Sequence, residues 1–145
     1  MKHIFYALLI ALFITGCSSE PSKDTMVVSG TIKGLKKGTL YLQHIPDSTL
    51  VNIDSVVIND TGTFTLKTKL KSPEVFYLYL KKEDNNEIND RITFFGSPGN
   101  ITVNTQWNTF DFDPVIKGST SHDTFMEYRE MMSKFNIKDM SFMEL

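Results

Sequence analysis

The sequence predicts a mainly β fold: an antiparallel β-sandwich or partly open barrel of about seven to eight strands, followed by a C-terminal α-helix. Three observations carry this prediction. Short apolar or alternating runs recur from Met26 to Lys117, turn residues separate them, and after Gly118 the apolar spacing changes from two to three and four.

Met26, Val28 and Ile32 lie near one face of a first strand, with Gly30 between them. Gly34 and Gly38 bracket a turn, and Thr39 to Ile45 is the next strand, ended by Pro46-Asp47-Ser48. Val51 to Ile58 is a third, closed by the turn signal Asn59-Asp60-Thr61-Gly62. Thr63 to Leu70 alternates cleanly, with Phe64, Leu66 and Leu70 on one side and lysines on the other, so one face is packed and one wet. Val75-Phe76-Tyr77-Leu78-Tyr79-Leu80 is apolar throughout. It predicts a central strand covered on both faces, with Tyr77 and Tyr79 packed in the core. Arg91 to Phe95 and Asn100 to Gln106 follow, joined by Gly96-Ser97-Pro98-Gly99, and Val115-Ile116 is a last short strand.

Beyond Gly118, Phe125, Tyr128, Met132 and Phe135 form one stripe of a helix, with Thr120 or Ser121 as its N-cap. Either this helix packs on the sandwich, or the sequence is cut from something longer, because its apolar end at Leu145 carries no helix stop signal.

The N-terminus is of another kind. Lys2 precedes the eleven apolar residues Ile4 to Ile14, whereas a membrane-spanning helix needs roughly 18 or more. Ile14-Thr15-Gly16-Cys17 resembles the lipobox of a bacterial lipoprotein, in which the cysteine becomes the lipid-bearing mature N-terminus. The expected organisation is a signal peptide over 1–16, a lipidated tether over 17–25, a β-sandwich-like domain over 26–118 and a helical segment over 119–145. Two or more acyl chains on Cys17 make a stable membrane anchor. The absence of Asp directly after Cys17 points, by analogy with other lipoproteins, to the outer membrane.

The order Val28-Ser29-Gly30-Thr31-Ile32-Lys33-Gly34-Leu35, Thr39-Leu40-Tyr41-Leu42, Ile53-Asp54-Ser55-Val56-Val57-Ile58 and Gly62-Thr63-Phe64-Thr65-Leu66 resembles a known family. Pro73-Glu74-Val75-Phe76-Tyr77-Leu78, Gly99-Asn100-Ile101-Thr102-Val103 and Ile116-Lys117-Gly118-Ser119 continue the likeness. The family is domain of unknown function 4369, and the likeness covers roughly residues 26–137. It implies a β-sandwich-like accessory domain of an envelope lipoprotein that faces the periplasm or the cell surface, one that typically precedes a thioredoxin-like thiol-disulfide module. That module's Cys-x-x-Cys pair has no counterpart, since Cys17 is the sole cysteine. Thiol-disulfide exchange needs a second thiol.

Few function classes remain. Loss of residues 1–16 removes only Lys2 from the charged set, leaving 14 basic against 17 acidic side chains, which argues against a nucleic-acid surface. Ser121-His122-Asp123 has the residue types of a hydrolase triad, but contiguous residues point apart and read as the start of a helix. His44 and His122 are far apart in sequence and give no histidine metal cluster, and no cofactor is expected. Glu83 to Asp90 is rich in oxygen ligands but departs from the EF-hand pattern at Ile88, so it reads as a solvated hairpin loop. Trp107, Phe110 and Phe112 alternate with Asn and Asp, as surface aromatics that bind a partner or ligand do. The expected role is a non-catalytic envelope lipoprotein that binds an envelope protein or positions one. The alternatives are the N-terminal part of a thiol-disulfide oxidoreductase and a surface glycan-binding lipoprotein.

Overall fold

A computed structural model describes residues 23–82 and 91–143 of the chain. Eight strands form two four-stranded sheets, and a helix follows. The strands are β1 (Thr25–Lys33), β2 (Lys37–His44), β3 (Val51–Asn59), β4 (Thr63–Lys69), β5 (Glu74–Lys82), β6 (Arg91–Gly96), β7 (Gly99–Gln106) and β8 (Val115–Lys117). The helix, α1, spans Thr120–Met143.

Sheet I has the order β4-β1-β7-β8 and sheet II the order β3-β2-β5-β6. Every neighbouring pair is antiparallel except β1 and β7, which run parallel with Met26 opposite Gly99 and Lys33 opposite Gln106. The expected sandwich is therefore present, with one parallel pair inside it. The pairs β2–β3, β5–β6 and β7–β8 are joined within a sheet, and the other four connections cross between sheets; the turn at Gly96–Gly99 carries the chain from β6 in sheet II to β7 in sheet I.

Period-two patterning decides what lies between the sheets. Sheet I turns Met26, Val28, Phe64, Leu66, Ile101 and Val103 inward, and sheet II answers with Leu40, Leu42, Ile58, Phe76, Leu78, Leu80, Ile92 and Phe94. All are buried, and their apolar area is the main stabilising term. Gly30 occupies an inward position of β1 where a side chain cannot go, since a Cβ there would lie 1.7 Å from the Val103 carbonyl oxygen. Gly62 takes a positive φ of 68° at the β3–β4 turn, and its carbonyl accepts the Ile32 N–H at 2.8 Å.

The β5 strand departs from expectation. Phe76, Leu78 and Leu80 are core residues, but Val75, Tyr77 and Tyr79 alternate with them and stand half-buried on the outer face of sheet II. The strand is central in its sheet yet packed on one face only. Apolar runs signal double coverage only when both alternating sets are fully apolar, and tyrosine carries a polar tip that tolerates solvent.

Each lateral side of the sandwich is closed by a polar side chain. Asp54 of β3 accepts the Lys67 N–H of β4 at 2.8 Å, joining the edge of sheet II to the edge of sheet I. On the opposite side Ser119, which follows β8, donates its hydroxyl hydrogen to the Phe95 carbonyl of β6 at 2.7 Å. The same hydroxyl oxygen accepts the His122 N–H at 3.2 Å, so Ser119 is the N-cap of α1 in place of Thr120 or Ser121. Phe125 of α1 packs on Phe95 with ring centroids 5.0 Å apart. Tyr128, Met132 and Phe135, the rest of the predicted stripe, are exposed. Among the described side chains, the helix docks through its first turns.

Candidate functional site

The outer face of sheet II carries an extended polar and aromatic network. Because Leu40 and Leu42 face the core, Tyr41 and Gln43 face outward, and Tyr77, Tyr79 and Arg91 join them from β5 and β6. The β2–β3 pairing shifts register between Leu42 and Gln43, so Asn52 rather than Ile53 stands opposite Gln43. That bulge makes a side-chain chain possible. Gln43 Nε2 donates to Asn52 Oδ1 at 2.8 Å, and Arg91 Nε donates to Gln43 Oε1 at 3.2 Å. Gln43 is only 6% exposed and has its amide oxygen and nitrogen both engaged, as a buried amide requires.

The guanidinium also covers Tyr79, with its carbon 5.0 Å from the ring centroid, and Tyr79 stacks on Tyr41 at 6.0 Å. Lys37 and Lys81 occupy outward positions of the same face, adding positive charge at its far end. The result is a half-exposed tyrosine surface fixed by an Asn–Gln–Arg network and bordered by cations. Tyr77 and Tyr79 could have been found in sequence from their alternation with purely hydrocarbon neighbours. Gln43 and Arg91 carried no such signal, because only the bulge and strand order bring them together.

The three aromatics singled out from sequence have three separate environments. Phe110 is 1% exposed and belongs to the core, so its expected place on a binding surface is corrected: the chain after β7 folds back and plugs the end of the sandwich. Trp107 opens a short 3-10 turn, Trp107–Thr109, and receives the Lys82 ammonium 5.0 Å from its ring centroid. Phe112 projects outward at 77% exposure. It borders a groove of about 460 Å³ on sheet I, together with Thr31, Lys33, Asn104, Gln106 and Asp113.

The remaining titratable candidates are dispersed. His44 pairs with Glu74 at 2.7 Å and stacks on Phe76 at one end of the sandwich. His122 is buried against β6, where its Nδ1 accepts the Phe95 N–H at 3.5 Å. Burial holds its imidazole below the usual histidine value, with Arg129 acting in the same direction and Asp123 partly opposing both. Ser121, His122 and Asp123 form no relay, since His122 points into the sheet and Asp123 lies exposed. Among the described residues no group of three or more His, Cys, Asp or Glu side chains is placed to hold a metal. Among the same residues no helix is long and apolar enough to cross a membrane. Ile14, Thr15, Gly16 and Cys17, and the acidic segment 83–90, lie outside the described residues.

No curated protein and no solved structure is detectably similar to the chain. The family model for the domain of unknown function DUF4369 matches residues 26–125, spanning all eight strands and the docked start of α1. The chain therefore belongs to the DUF4369 family.

Proposed function

We propose that this is a lipid-anchored envelope protein whose sandwich is a non-catalytic docking module, and that its contact surface is the outer face of sheet II. The observation that carries the reading is the Tyr41–Tyr79–Arg91–Gln43–Asn52 assembly, which orders large side chains on a face that no other layer covers among the described residues. Tyrosine and arginine dominate protein interfaces because they bring large contact area and directed hydrogen bonds at low entropic cost. With Lys37, Lys81 and Arg91 on one face, the complementary partner is an envelope protein segment that carries carboxylates beside apolar groups. Cys17, within Ile14-Thr15-Gly16-Cys17, supplies the anchor and keeps the domain at the membrane, on the periplasmic side of the outer membrane.

Carbodiimide treatment of native envelopes tests the contact chemistry, since it joins a lysine amine to a touching carboxylate. The expected product is one discrete adduct through Lys37 or Lys81, lost in an Arg91→Glu variant. Absence of any adduct at these lysines would defeat the docking reading.

A second reading is supported by α1. Its residues Tyr128, Met132 and Phe135 are exposed beyond the docked first turns of the helix. An uncovered apolar stripe suits a following module, and the family resemblance implies a thioredoxin-like one. A reading frame that continues past Leu145 into Trp-Cys-x-x-Cys would establish this reading, and an immediate stop codon would defeat it.

A further inference from the structure

The groove on sheet I has its own logic, independent of the docking role of sheet II. Its wall is the β7–β8 connection, which is held rigidly. Phe110 is buried beneath it, Thr105 Oγ1 donates to the Phe110 carbonyl at 2.9 Å, and the Phe112 N–H donates to the Thr109 carbonyl at 3.1 Å. Asp113 completes the turn at a φ of 72°, a region that aspartate tolerates better than most residues. These constraints hold up Phe112, the most exposed of the large apolar side chains among the described residues. A single exposed apolar side chain is ordinary on a protein surface, so it is the groove beside this ring that gives it significance.

The floor beside the ring is polar and mostly unengaged. The Thr31 N–H donates to Asn104 Oδ1 at 3.1 Å, which fixes the amide and leaves its nitrogen as a donor. Lys33, Gln106 and Asp113 have no side-chain partner among the described residues. One cation and one anion give the groove no net charge, so it does not suit a phosphate or a nucleic acid. Nor does it suit an acyl chain, because Lys33, Asn104, Gln106 and Asp113 interrupt the apolar surface offered by Phe112 and Val115. A flat apolar ring beside amide donors and acceptors matches a pyranose, whose apolar face stacks while its hydroxyls both donate and accept. The floor also continues outward. Thr63, Thr31 and Asn104 stand in register across β4, β1 and β7, and Thr65, Ser29 and Thr102 form a parallel row.

The geometry points to a binding site for a neutral oligosaccharide on sheet I, with Phe112 as the stacking platform and Asn104 and Gln106 as the hydrogen-bonding floor. Isothermal titration of the full lipidated chain in detergent with chitotetraose, cellotetraose and mannotetraose tests it. At least one sugar is expected to bind, with affinity lowered about tenfold or more by Phe112→Ala and by Asn104→Ala and little changed by added salt. Tyr79→Ala, on the opposite sheet, is expected to leave sugar binding intact while removing docking. Failure of all three sugars to bind, or wild-type affinity in Phe112→Ala, would overturn the site.

Discussion

Ser119 and Phe95 are joined across the sandwich by a hydroxyl-to-carbonyl hydrogen bond of 2.7 Å. Phe95 lies on the edge strand β6, and its N–H is taken by His122 Nδ1. Both outward polar groups of one edge residue are thus satisfied by the residues that start α1. Exposed strand edges invite pairing with other chains, and this arrangement covers part of one.

Ser119→Ala removes the helix cap and leaves the Phe95 carbonyl without its partner. A loss of about 1–2 kcal/mol is expected. Thermal unfolding should show a melting temperature lower by roughly 5 °C or more. Ser119→Thr, which keeps the hydroxyl, should recover most of it.

The His122 contact makes stability depend on pH. The folded state holds its imidazole below the usual value, while the unfolded chain takes up a proton near pH 6.5. Below about pH 6.5 the unfolded state therefore binds more protons, and stability falls until the lowered folded value is passed. Above about pH 6.5 this contribution is fully present. Urea unfolding at pH 7.5 and at pH 5.5 should separate wild type from His122→Gln, in which this part of the pH dependence is lost.

Gly30→Ala forces a methyl group into the Val103 carbonyl of the parallel β1–β7 pair. Backbone cannot yield as a side chain does, so destabilisation of at least about 2 kcal/mol is expected. The measurement is the denaturant midpoint, and a neutral substitution would mean that the two strands do not approach so closely.

Asp54→Asn tests the other lateral closure. The Lys67 N–H and the Ser55 N–H both reach the Asp54 carboxylate at 2.8 Å. An amide retains only one acceptor oxygen, so one bond is lost and stability should fall by about 1 kcal/mol. Hydrogen exchange at the Lys67 amide should rise more than at its neighbours.

Cys17→Ala should move the chain from the membrane fraction to the soluble fraction, or leave an unprocessed precursor that keeps residues 1–16. An unchanged membrane association with a shortened N-terminus would exclude lipidation at Cys17.

The strands were legible because the alternation of Phe64, Leu66 and Leu70 with lysines reports a one-sided environment directly. The Asn59–Gly62 turn was legible because glycine and aspartate mark positive φ, as Asp60 and Gly62 confirm. What could not be read was partnership between distant segments. The parallel pairing of β1 and β7 joins residues more than seventy apart, and no local pattern encodes it. The same limit hid the Arg91–Gln43–Asn52 network, and it put Phe110 on the surface because its polar neighbours resemble a loop while its ring fills the core. The helix stripe was correctly periodic, yet periodicity names a face and not what covers it.

The central claim, that the outer face of sheet II is covered by a partner in the envelope, is most directly tested by hydroxyl-radical footprinting of the full chain. The comparison is between native membranes and detergent-purified protein, with oxidation of Tyr41, Tyr77 and Tyr79 read by mass spectrometry. Strong protection of these tyrosines in membranes, lost on purification and lost in the Arg91→Glu variant, is the predicted result. Equal oxidation of the three tyrosines in membranes and in purified protein would contradict the account.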